Sequence, residues 1–202
     1  MIEVEFKAWV DDPEAFEAVL RAHAEFAGEV TKHDIYFHQP DRPALYFRLR
    51  REGERAIVTT KDKRIADGIE TSDEIEFEVS DAQGFCRMVE RLGFEPFVVK
   101  RKATRRYRAG AADIELSEVA HLGFFVEIEI LCRDDSEVEA ARRELADWAE
   151  RLGISPEAIE PRLYIHLLAE RHPARYTFDH GDPDALVREE PLSGAGRQER
   201  LL

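Results

Sequence analysis

Cysteine is scarce: Cys86 and Cys132 are the only two in 202 residues, and they have no paired spacing. That excludes a disulfide framework and a thiolate metal centre, and both thiols are expected to be reduced and semi-buried, as in a cytoplasmic protein. Long apolar runs are missing as well. No uncharged stretch approaches the roughly 20 residues of a membrane span, and the chain opens on a strand pattern rather than a signal peptide. Net positive charge is absent too, with 43 acidic against 29 basic residues and a formal charge of −14. This argues against a nucleic-acid partner and against an anionic membrane surface. GxxxxGK[ST], GxGxxG, HExxH, GxSxG and CxxC do not occur, which removes the common phosphate-loop, zinc-protease, serine-hydrolase and dithiol chemistries. The seven histidines are scattered, and His33, His38 and His166 read as surface or edge packing.

What is present is alternation. Ile2, Val4, Phe6, Ala8 and Val10 interleave with Glu3, Glu5, Lys7 and Trp9, the period of a β-strand. "DDPEAFEAVLRAHAEFAG" predicts a helix with an Asp cap, Pro13 in its first turn and Gly28 as its stop. Strand-like runs follow: "VTKHDIYFHQ", "ALYFRLRRE", "RAIVTTKDK" and "DEIEFEVS". "SDAQGFCRMVERLG" predicts a helix with a Ser80/Gln83 capping box, and "SEVEAARRELADWAERLG" one with a Ser136/Glu139 box. Between them lie three more strands, "PFVVKRKATRRYRAG", "AADIELSEV" and "GFFVEIEILC". A last helical stretch starts near Ser155-Pro156 and resumes after Pro161. The expectation is an α+β fold of about eight antiparallel strands with helices outside, in one domain over residues 1–170. From Arg171 onward three prolines, three glycines and no apolar period predict a polar, poorly ordered tail over 171–202.

The strands share a second property. Glu74, Glu76 and Glu78 alternate along one face, as do Glu127 and Glu129, Arg48 and Arg50, Lys61 and Lys63, and Lys100 and Lys102. Six basic residues and no acid lie between Pro96 and Ala112. A sheet with one wet side gives such alternation on any single strand. The set is different, because the helices need an apolar sheet face and leave the charged face opposite. If the sheet curls with that face inside, the charges must be paired or neutralised by a ligand. A highly anionic ligand with a divalent cation satisfies both signs, and Glu pairs from separate strands suit Mg²⁺ or Mn²⁺. There is no His cluster that would suggest zinc.

These residues also resemble a known family. Glu3-x-Glu5-x-Lys7 is similar to the ExExK signature of the CYTH proteins, named for a bacterial adenylyl cyclase and thiamine triphosphatase. The order continues with "HDIYF", "FRLR", "TTK", "EIEFEV", "VVKRK…RRY", "HLGFFVEIEI" and "LYIHLL", so the resemblance spans Met1 to Ala169 and is nearest the stand-alone cyclase-like branch. It implies an eight-stranded antiparallel tunnel with a charged interior, a triphosphate-bearing small molecule and Mg²⁺ or Mn²⁺. It implies Glu3, Glu5, Glu127 and Glu129 as metal ligands. Lys7, Arg48, Arg50, Lys61, Lys100 and Lys102 would hold phosphates, with Lys7 and Lys61 at the reacting group. Thr104 stands where the pattern has Arg, so Arg105 or Arg106 is expected to substitute through a bulge; Ser117 stands at an Asp position and Ser72 near an Arg position. The implied reaction is metal-dependent hydrolysis of inorganic tripolyphosphate, a nucleoside triphosphate or thiamine triphosphate. The alternatives are adenylyl cyclase chemistry on ATP and a non-catalytic polyphosphate or nucleotide binder. A homodimer is the assembly considered.

Overall fold

The computed structural model describes residues 2–181 and 186–192. Eight strands, β1 (Ile2–Trp9), β2 (Glu25–Gln39), β3 (Arg42–Glu52), β4 (Arg55–Ala66), β5 (Ile69–Glu78), β6 (Glu95–Ala109), β7 (Ala112–Val119) and β8 (Gly123–Cys132), form one antiparallel sheet. The sheet closes on itself in the order β1-β5-β4-β3-β2-β6-β7-β8, so the expected eight-stranded barrel is found. Closure leaves no free edge, and period-2 alternation sends one set of side chains out and the other in.

The outward set is apolar. Val4, Phe6, Ile114, Leu116, Val126 and Ile128 pack with Ala141, Leu145 and Trp148 of α3 (Asp135–Arg151) and with Leu20 of α1 (Pro13–Leu20). Each such side chain contributes about 1.5–3 kcal/mol on burial. A second outer cluster sets Ile35, Phe37, Leu49 and Val58 against Cys86 and Val89 of α2 (Ala82–Arg91). Both cysteines are buried and unpaired. No helix among the described residues is long and apolar enough to cross a membrane.

Four local expectations are corrected. The first helix ends at Leu20 rather than Gly28, because residues from Glu25 onward pair with β6, and Gly28 at φ +123° sits in the β2 bulge instead. A strand ladder outweighs helical spacing here. The caps of α2 and α3 are Asp81 and Asp134, accepting from the Gly84 and Ser136 amides, in place of the Ser80/Gln83 and Ser136/Glu139 boxes. The stretch from Arg171 is structured in part: β9 (Ala174–Phe178) and β10 (Val187–Pro191) form a hairpin. Tyr176, Leu186 and Val187 cover sheet surface that α2 leaves open, and two strands this short carry too few inward residues to show a period. The remainder of that stretch, 182–185 and 193–202, lies outside the described residues.

The helix α4 (Tyr164–Arg171) has a different place from the other three. Its Tyr164, Ile165, Leu167 and Leu168 pack on Trp9, Tyr36, Val98, Val119 and Phe125, the apolar residues at one end of the barrel, and so close that mouth.

Candidate functional site

The barrel encloses a cavity of about 540 Å³. Nine carboxylates and eight cations line it, so its net charge is small and the placement of each sign decides its character. The carboxylates stand on β7, β8, β1 and β5, four consecutive staves; the cations stand on β4, β3, β2 and β6, the other four. Lys7 on β1 is the exception among the lining residues.

Register explains the acidic half. Glu5 lies directly opposite Glu129 of β8 and Glu70 of β5, and Glu129 lies opposite Asp113 of β7. Four carboxylates thus run in a row across four strands, an arrangement that repels itself unless a cation joins it. Ligand oxygens of Glu3, Glu5 and Glu129 lie within 4.8 Å of one another. Burial, then Glu3 and Glu5, push the Glu129 carboxyl up to about 8. Burial acts against the charge on Glu5 too, but Lys61 and Lys63 outweigh it and hold its pKa down. Glu3 is raised by burial and by Glu5, although Lys61 donates to it at 2.7 Å.

Of the four expected metal ligands, three therefore converge. Glu127 is drawn away by Lys102, with which it pairs; Lys102 and Lys100 more than offset its burial and lower its pKa.

The basic half is organised by a carboxylate that sequence reading missed. Asp34 of β2 is fully buried and accepts from Arg50 at 2.7 and 2.9 Å, with Lys100 at 3.1 Å. Lys32 and Lys102 face each other across β2 and β6, and Glu115 pairs with both. Lys63 pairs with Glu70 and stands opposite Ser72, supplying from β4 the positive charge absent from β5. Two lining cations make no ion pair among the described residues. Arg48 donates to Thr59 at 2.9 Å while its Nε is buried without a partner, and Lys7 lies 5.4 Å from the Tyr164 ring. Tyr164 enters from α4, with Lys100 and Lys102 at 4.7 and 5.5 Å from its ring. Burial and Glu127 raise its hydroxyl well above 10, so it stays protonated.

Lys7, Arg48, Arg50, Lys61, Lys100 and Lys102 all line the cavity as expected. Arg106 does not; it pairs weakly with Glu52 at 3.7 Å, and Arg105 pairs with Glu17 of α1. The bulge that was to bring one of them inward falls on β2, opposite. Thr104 and Ser117 are instead cross-strand partners, hydrogen-bonded at 2.9 Å and buried, so the two departures satisfy each other. The signals for the missed residues were period-2 as well: Lys32-x-Asp34-x-Tyr36 and Asp113-x-Glu115.

The raised Glu129 carboxyl gives a stability prediction. A carboxyl whose pKa rises on folding binds its proton more tightly when folded, so its contribution favours the fold at low pH and is lost as pH climbs from 4.5 towards about 8. Glu129→Gln should stabilise the metal-free protein by about 1–2 kcal/mol at pH 8, read as a higher melting point, and change it little at pH 5. Thermal melts at the two pH values measure this; equal shifts at both would contradict it.

Comparison with known proteins decides the family. The CYTH domain model matches residues 1–164. The chain belongs to the CYTH domain family. A relative, "Adenylate cyclase CyaB" of Aeromonas hydrophila, is 28% identical over 169 residues, covering 80% of this chain and 86% of its own. The solved PH1012 protein of Pyrococcus horikoshii is 30% identical, with a TM-score of 0.72 over 82% of this chain and 98% of its own. The Hippeastrum protein HpAC1 is 16% identical with a TM-score of 0.58, covering 80% of this chain and 90% of its own. Its structure is described as revealing a dominant triphosphatase activity. At that identity the match speaks for the shared CYTH fold alone.

Proposed function

We propose that this CYTH barrel is a divalent-metal-dependent triphosphatase. One observation carries the reading: the cavity is divided into an acidic half and a basic half along contiguous staves. A simple cation site needs only the first half and a simple anion site only the second. A polyphosphate chelated to a divalent cation needs both.

The chain's own groups then have definite roles. Glu3, Glu5 and Glu129, hard oxygen donors already forced together, fit Mg²⁺ or Mn²⁺ and would hold it. When bound, the metal would supply charge neutralisation at the phosphate oxygens. Lys7 and Arg48, which lack carboxylate partners, would bind phosphoryl oxygens first, with Arg50, Lys61, Lys100 and Lys102 contributing charge they now share with carboxylates. Water attacks the terminal phosphorus, the bridging P–O bond breaks, and orthophosphate and the shortened chain leave. Such a transition state is loose and spreads charge over the equatorial oxygens, so Lys7 and Lys61 would act by neutralising it, without a dedicated nucleophile.

A second reading has its own support. Tyr46 lines the cavity and offers a stacking surface for a base, as a cyclase acting on ATP would need. Cyclisation also requires a base at the ribose 3′-hydroxyl. Hydrolysis asks less of the chain and is preferred.

Phosphorus NMR of an equal mixture of tripolyphosphate and ATP with Mg²⁺ separates the readings. Orthophosphate released from tripolyphosphate, and lost with Glu5→Ala, is the expected result. Pyrophosphate with cyclic AMP would establish the cyclase instead. Two unchanged spectra would reduce the site to a binding site.

A further inference from the structure

We propose that His121, His172 and Glu189 form a second metal site, outside the barrel, for a borderline-soft divalent ion of the Zn²⁺ type. The three residues come from separate parts of the fold. His121 sits in the β7–β8 turn, His172 caps the C-terminus of α4, and Glu189 is on β10 of the C-terminal hairpin. They are far apart in sequence, so no motif announces them, and the expectation of no histidine cluster is corrected.

Their donor atoms converge. His172 Nε2 is hydrogen-bonded to Glu189 Oε1, His121 Nε2 lies 3.8 Å from the same oxygen, and the three donor atoms lie within 4.8 Å of one another. The two imidazoles stack face to face, with centroids 3.6 Å apart and planes 4° from parallel. Two protonated rings would repel at that distance, and Glu189 Oε1 is within hydrogen-bond reach of His172 but not of His121, whose Nε2 lies 3.8 Å away. A single dication bound by two neutral imidazoles and a carboxylate satisfies all three, leaving a fourth position for water. This donor set selects differently from the all-carboxylate cluster inside the barrel, which suits hard ions.

The backbone at the cluster is under constraint. His121 adopts φ +68°, a conformation costly for a residue with a Cβ, in a turn closed by the Leu122 amide donating to Val119 and the Ala120 amide donating to Arg101. On the neighbouring strand β2, His33 has a buried Nε2 without a hydrogen-bond partner; burial, then Arg101 and Arg51, lower its pKa, while Asp34 and Glu189 act with the opposite sign.

Parallel rings do not point their lone pairs at one spot. Metal uptake therefore turns both rings about Cβ–Cγ, bringing the nitrogens to about 3.3 Å for a tetrahedral ion. His121, 44% exposed, has room to do so. The ion would pin the hairpin, which lies beyond the matched residues 1–164, to the helix that closes the barrel and places Tyr164 in the cavity.

Co²⁺ titration of the full chain tests this, in a Glu3→Gln/Glu5→Gln background that disables the interior cluster. The expected result is one equivalent of Co²⁺ with the visible band of a tetrahedral site, a raised melting point, and no displacement by excess Mg²⁺. His172→Ala and His121→Asn should each weaken binding by about 10-fold or more and remove the band. Asn tolerates positive φ, so His121→Asn keeps the turn while deleting the imidazole. A tetrahedral band that survives both substitutions, or no such band in the double-Gln background, overturns the proposal.

Discussion

Glu5→Gln is expected to lower kcat/KM for tripolyphosphate by about 100-fold or more at saturating Mg²⁺, without unfolding the protein. The size follows from position. Glu5 is the centre of the acidic row, facing Glu129 on one side and Glu70 on the other, and shares the three-carboxylate cluster with Glu3. Glutamine keeps the shape but withdraws one of the three charges that fit the ion. The neighbours it would leave are not stranded: Lys61 retains Glu3 and Glu74, and Lys63 retains Glu70. Lys61 and Lys63 hold the Glu5 pKa down, so its charge favours the fold and the metal-free variant should melt somewhat lower but still cooperatively, which separates a lost activity from a lost structure. Arg106→Ala supplies the contrast, since Arg106 lies off the cavity and its loss should leave kcat/KM within about twofold. Steady-state phosphate release for the three proteins decides the matter. A Glu5→Gln enzyme as fast as wild type would remove the acidic cluster from the mechanism.

Asp34→Asn is expected to be the most destabilising single change at the site, costing about 3–5 kcal/mol in urea unfolding at neutral pH. Asp34 is wholly buried, and its pKa is well below 3.8 because Arg50 and Lys100 overcome the effect of burial. Its contribution is present above 3.8 and is lost only as pH falls further. Asparagine would leave the two cations flanking a neutral amide, without the ion-pair partner they share. An anion should then partly replace it: without Mg²⁺, tripolyphosphate should raise the melting point of Asp34→Asn more than that of wild type. A penalty under about 1 kcal/mol, or equal stabilisation of both proteins, would mean that Arg50 and Lys100 reach solvent when Asp34 is gone.

Asp34 also marks where reading the sequence stops. It lies in "VTKHDIYFHQ", where Val30, Lys32, Asp34 and Tyr36 share one face, and a single carboxylate between a lysine and a tyrosine did not stand out as an organiser. Glu3, Glu5 and Lys7 stood out because their strand is clean on both faces. The basic pairs on β3, β4 and β6 were legible for the same reason. Glu70 and Glu115 were less legible: Ser72 interrupts the alternation that joins Glu70 to Glu74 and Glu76, Asp113-x-Glu115 is a short pair, and only register gives each its partners across strands.

Alternation by itself determined the inward and outward sets, because successive side chains on a strand point to opposite faces whatever the strand pairs with. It therefore determined one charged and one apolar sheet face, with the helices on the apolar one, and so most of the residues that line the cavity once the charged face is inside. Only the tertiary structure decided which charges meet. Register is a property of strand pairs, and it places Glu5 against Glu129 and gives Glu127 to Lys102. Closure of the barrel sorts the two signs onto opposite halves, and packing of α4 and the hairpin brings His121, His172 and Glu189 to one point. These are contacts between residues distant in the chain, whose energies depend on distance and burial, and neither quantity is defined until the sheet has closed.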